Sequence, residues 1–83
     1  MSQDFYAAAL TILPKITPAN PNYKNDVGLA IYKFVINIAG EEKMPKITGM
    51  LIDLSIPEIL RYLQDFDDFE STINKAQELL AQY

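Results

Sequence analysis

The chain reads as an all-α fold, a compact bundle of five short helices. Three observations carry that expectation. Five stretches space apolar residues at i, i+3, i+4 and i+7, the pattern that gathers them on one face of a helix. Prolines, a glycine and short polar residues stand at the junctions between these stretches, where helices start and stop. No segment alternates with period two over a useful length, and no hairpin signal joins two runs.

The first helix is expected over residues 4–13. Phe5, Ala8, Ala9 and Ile12 form its stripe, Ala7 to Ala9 are strong helix formers, and Pro14 forces an end. Ser2 or Asp4 offers a cap. Tyr6, Leu10 and Leu13 leave this helix apolar on more than one side. Residues 15–20 form a connector, because Pro14, Pro18 and Pro21 prevent continuous helix.

Asn20 and Pro21 then read as N-cap and first-turn proline of a second helix over residues 21–38, stopped by Gly40. Val27, Ile31, Phe34, Val35 and Ile38 make its stripe. Asn25, Gly28, Tyr32 and Ile36 lie on a neighbouring face. Gly28 stands one turn before Tyr32, a shallow spot beside an aromatic ring. It serves either close helix packing or a binding surface.

The organising stretch is the third helix, residues 46–54, introduced by a polar loop and by Pro45. Ile47, Met50, Leu51 and Leu54 share one stripe, and Ile52 sits about 100° away from it. A short helix that is apolar on two sides needs two apolar neighbours: one can be the domain's own core, the other a partner. Gly49 strengthens the point, since glycine within a helix costs roughly 1 kcal/mol relative to alanine unless something approaches closely.

Ser55-Ile56-Pro57-Glu58 is a capping box for a fourth helix over residues 56–64, which uses Ile56, Ile59, Leu60 and Leu63. Asp65 caps the fifth, residues 66–82, with Asp67 and Asp68 suited to its positive end. Phe69, Ile73, Ala76 and Leu80 form its core stripe, flanked by Thr72, Leu79 and Tyr83.

Composition narrows the function. Eighty-three residues with 49% apolar content suffice for one domain and one core. The chain has no cysteine and no histidine, which excludes disulfides, thiolate nucleophiles, Cys/His metal sites and imidazole bases. No apolar run approaches the roughly 20 residues of a membrane span, and the start lacks the pattern of a secretory leader, so no direct membrane binding is expected. With 11 acidic against 7 basic residues and a net charge of −4, the chain lacks the cationic face that phosphate backbones require. Direct nucleic-acid binding is therefore not expected either.

The remaining chemical readings are weak. Asp65, Asp67 and Asp68 lack the twelve-residue loop of a calcium site, and their place at a helix start explains them. Glu41 and Glu42 have no nucleophile, oxyanion donor or apolar pocket beside them, so no catalytic residues and no enzyme activity are expected. An acyl-carrier domain would hold its phosphopantetheine on the serine of Asp-Ser-Leu at a helix start. Here the order is Asp53-Leu54-Ser55, and Ser55 is better used as a cap. No cofactor and no metal are expected.

Lys46-Ile47-Thr48-Gly49-Met50-Leu51-Ile52-Asp53 resembles the K-I-T-G-M-L-L-E signature of the MLLE domain, the C-terminal peptide-binding domain of cytoplasmic poly(A)-binding proteins. Ile52 replaces Leu and Asp53 replaces Glu. The resemblance runs without a gap to Leu80; upstream it needs about one inserted residue and then covers residues 25–36. It implies a monomeric, non-catalytic module that binds short linear motifs, about a dozen residues long, from disordered regions of partner proteins.

The resemblance further implies two pockets. A peptide leucine would enter between the third and fifth helices, against Met50, Leu51, Thr72, Ala76, Leu79 and Tyr83. A peptide phenylalanine would enter between the second and third helices, against Asn25, Gly28, Tyr32, Lys46, Thr48 and Ile52. Four further positions depart from the family's pattern: Tyr32 stands for Phe, Pro45 for Gly, Thr72 for Lys and Tyr83 for His. Family hosts are poly(A)-binding proteins, a HECT-type ubiquitin ligase and a fungal RNA-binding protein that carries mRNA on endosomes. A cytoplasmic role in mRNA translation, stability or transport, including tethering at endosomes through a partner, is what the resemblance implies.

Overall fold

The computed structural model describes residues 2–82. Among them five α-helices follow one another without a strand: α1 (Ser2–Ile12), α2 (Tyr23–Ala39), α3 (Met44–Ile52), α4 (Ile56–Gln64) and α5 (Phe66–Ala81). A 3₁₀ turn, Leu13–Lys15, follows α1 and contains Pro14. The all-α bundle is therefore present, with α5 touching all four other helices and α2 lying along α1, α3 and α5.

The apolar stripes bury much as their periodicity requires. Phe5, Ala9 and Ile12 of α1, Val27, Ile31, Phe34 and Val35 of α2, and Phe69, Ile73 and Ala76 of α5 are all buried. Phe5 is the hub of an aromatic cluster, its ring centroid 4.6 Å from that of Phe69, 5.2 Å from Phe66 and 5.3 Å from Phe34. The second apolar side of α1 packs far less: Leu10 is 70% exposed. Tyr6, beside it, accepts a hydrogen bond from the Phe66 backbone N–H at 3.1 Å, so α1 supplies an oxygen to the first turn of α5.

Several boundaries shift for identifiable reasons. Helix α1 begins at Ser2, which places Asp4 inside the first turn, where its charge suits the helix dipole, and not at the cap. Asn20 and Pro21 do not open α2. The Asn20 side chain is occupied in the connector: its Oδ1 accepts the Asn22 N–H at 3.0 Å, and its Nδ2 donates to the Lys15 carbonyl at 2.8 Å and to Asp26 at 3.1 Å. The helix starts at Tyr23 with Asn22 as a cap that makes no side-chain bond. Ile16 of the same connector is buried, an isolated apolar residue that no periodicity could flag.

Gly40 ends α2 with φ +92°, a conformation that favours glycine, and its N–H reaches the Ile36 carbonyl at 2.8 Å. Helix α3 starts at Met44 and ends at Ile52, leaving Leu54 in the turn beyond it, half-buried against the core. The Ser55 half of the α4 capping box forms, and Glu58 turns back to the Ser55 hydroxyl in place of the Ser55 backbone N–H. Ser55 Oγ accepts the Glu58 N–H at 3.4 Å and donates to Glu58 Oε1 at 2.8 Å. That hydroxyl is committed to its helix, which further weakens the carrier reading. At α5, Asp65 Oδ1 accepts the Asp67 N–H at 2.9 Å.

Candidate functional site

Helix α3 is nine residues long and packs against α2 on one side and α5 on another. Ile47 and Leu51 point into the core and are essentially inaccessible, while Met50, Thr48 and Ile52 remain half-buried. The residues that the core does not consume therefore look out on both sides of α3.

On the α5 side lies a groove of about 300 Å³. Met50 and Leu51 form its α3 wall, with Leu54 in the turn that follows. From α4 come Glu58, Arg61 and Tyr62. One face of α5 supplies Asp68, Ser71, Thr72, Lys75, Ala76 and Leu79, spaced as successive turns of a single helix. Buried Leu51, Tyr62 and Ala76 make the floor, and Leu79, 47% exposed, forms a lip.

Of the six residues expected around a peptide leucine, Met50, Leu51, Thr72, Ala76 and Leu79 meet in this groove. Tyr83 lies outside the described residues. The Thr72 hydroxyl donates to the Asp68 carbonyl at 2.7 Å, which satisfies it within its own helix. The Tyr62 hydroxyl donates to the Leu51 carbonyl at 3.1 Å, and burial pushes the phenol's pKa well above its ordinary value.

On the α2 side, three of the six residues expected around a peptide phenylalanine converge. A Cβ placed on Gly28 would stand 3.8 Å from Thr48 Cγ2 and 3.8 Å from Ile52 Cγ2. That is ordinary van der Waals contact, so the approach of α3 to α2 does not itself require glycine at this position. Tyr32 is half-buried two turns of helix from Asn25, which is exposed; Lys46 is exposed at the start of α3. Thr48 Oγ1 is buried without a hydrogen-bond partner, alone in this among the side-chain atoms of the described residues. Lys24 and Asp53 form an ion pair at 3.1 Å between the start of α2 and the end of α3, exposed enough to contribute little.

The helical Gly49 predicts a close approach, and among the described residues none is made: beyond its own helix, nothing lies within 4 Å of where its Cβ would be. Sequence reasoning also missed Tyr62 and the charged half of the groove. Tyr62 was legible in principle, standing three residues after Ile59 on the buried side of α4. Arg61 and Lys75 carry no such signal, because which neighbour a charged residue faces depends on how α4 and α5 cross.

Residues 14–80 match the family model described as the MLLE domain. The chain belongs to the MLLE domain family. No curated protein matches it, and no solved structure does. MLLE domains are protein-interaction modules that bind short peptide motifs, and the family is not a catalytic one. Helices α2 to α4 and all of α5 but its last residue, Ala81, fall within the matched region of this MLLE domain; α1, Ser2–Ile12, precedes it.

Proposed function

We propose that this MLLE domain holds a short linear motif by two apolar anchors, one on each side of α3. A leucine of the motif occupies the groove between α3 and α5, against Met50, Leu51, Thr72, Ala76 and Leu79. A phenylalanine rests on the α2 side, over Gly28, Thr48 and Ile52, with Asn25, Tyr32 and Lys46 at its margin. The observation that carries the reading is the single groove that gathers five residues from two helices, with buried Leu51 and Ala76 beneath an exposed Leu79.

The energetics suit this mode. Two apolar anchors, each worth about 1.5–3 kcal/mol on burial, offset the ordering of a disordered segment. The module thereby tethers its host protein to partners in cytoplasmic mRNA translation, stability or transport. Pro45 and Tyr32 depart from the poly(A)-binding-protein pattern on the phenylalanine side, which makes a host of the endosomal mRNA-transport kind the alternative.

Calorimetric titration with a blocked twelve-residue peptide carrying one leucine and one phenylalanine anchor tests the pocket. Leu79→Ala is expected to weaken binding without lowering Tm, because its side chain is exposed. Met50→Ala should weaken binding and also lower Tm, because it packs partly against the core. Unchanged affinity in both variants would reject the groove as the anchor pocket.

A further inference from the structure

We propose that the motif held between α3 and α5 carries an acidic side chain beside its aliphatic anchor, recognised by Arg61 and Lys75; this rests on the groove being the anchor pocket.

The groove has two unlike parts. Met50, Leu51, Ala76 and Leu79 make an apolar seat, and Glu58, Arg61, Asp68 and Lys75 bring charge to the same lining. The four charges sum to zero but are not equivalent. Glu58 lies in the first turn of α4 and already accepts the Ser55 hydroxyl at 2.8 Å. Asp68 lies in the first turn of α5, where unpaired backbone N–H groups favour a negative charge. Both acids are thus partly answered by their own helices.

Neither Arg61 nor Lys75 forms an ion pair with a carboxylate among the described residues; the pair that does form joins Lys24 and Asp53. Arg61 presents five N–H donors in a planar fork that matches a carboxylate, and Lys75 adds a mobile point charge next to Ala76 in sequence and one turn before Leu79 along α5. A carboxylate next to the anchor would meet both cations at the edge of the apolar seat. The remainder of the domain, at net charge −4, disfavours acidic peptide elsewhere, so the pair would also set the register of the motif.

The test uses blocked twelve-residue peptides with leucine and phenylalanine anchors, carrying Glu, Gln or Lys at each position flanking the leucine. Fluorescence anisotropy against the wild-type domain should rank Glu over Gln over Lys at one of these positions, by about threefold per step. The Glu preference should shrink in 0.5 M NaCl and disappear in Arg61→Gln/Lys75→Gln, whose Tm should stay near wild type because both side chains are exposed. Leucine-dependent binding with no charge preference, or with Lys preferred, would overturn this proposal and leave the anchor pocket intact. Binding that ignores replacement of the leucine by alanine would overturn both.

Discussion

The phenol of Tyr62 donates a hydrogen bond to the main-chain carbonyl of Leu51, 3.1 Å away, and both residues are only 1% exposed. Leu51 lies in the last turn of α3, where carbonyls lose their helical partners. The bond ties α3 to α4 beneath the floor of the groove. Tyr62→Phe removes the hydroxyl and should cost about 0.5–1.5 kcal/mol of stability, measured by chemical denaturation.

Burial of the same phenol also gives a pH dependence of known sign. Burial raises the phenol's pKa in the folded state above its unfolded value of about 10. The neutral phenol therefore contributes stability fully below about pH 10, and that contribution falls away as the pH rises further. Denaturation of wild type and Tyr62→Phe at pH 7 and above pH 10 should show the gap between them narrowing at the alkaline end. A constant gap would contradict it.

Helix α1 precedes the family match, yet Phe5 sits at the centre of the aromatic cluster. Phe5→Ala should destabilise the domain by about 3–5 kcal/mol, the range for deleting a buried phenylalanine. Tyr6→Phe should cost less, losing one partly exposed hydrogen bond to α5. Thermal melts of the two variants would establish whether α1 is integral to the core; equal and small losses would make it an accessory.

Gly28 and Gly49 separate folding from binding. A methyl group at Gly49 meets open space, and one at Gly28 meets Thr48 and Ile52 at ordinary contact distance. Each glycine-to-alanine change should therefore raise stability, by up to about 1 kcal/mol through helix propensity. Affinity for a leucine- and phenylalanine-anchored peptide should fall in Gly28→Ala, whose methyl fills the surface proposed to receive the ring. Higher Tm with unaltered affinity would remove Gly28 from that site.

Selectivity is expected to lie on the phenylalanine side. Pro45 is exposed in the first turn of α3 and fixes φ near −65°, and Tyr32 adds a hydroxyl that must find water or a partner under an apolar ring. A peptide of the poly(A)-binding-protein type should bind weakly, and Pro45→Gly with Tyr32→Phe should tighten it severalfold. Titrating one such peptide against wild type and the double variant decides between this and selectivity from elsewhere.

Read alone, the chain yields the helix count, most of the core and the off-core residues of α3. Each of these follows from local chemistry: the 3.6-residue period of Val27, Ile31 and Phe34, the capping box at Ser55 and Glu58, the cap at Asp65 and the stop at Gly40. The packed structure was needed for everything that depends on which helix meets which. Ile16 is buried only because its connector folds back on the core, and Asn20 leaves its cap only because Lys15 and Asp26 are close enough to engage it. Arg61 and Lys75 share a groove with Met50 only because α3, α4 and α5 come together there. Periodicity reports which face of a helix is apolar; long-range packing chooses the neighbour that the other faces will see.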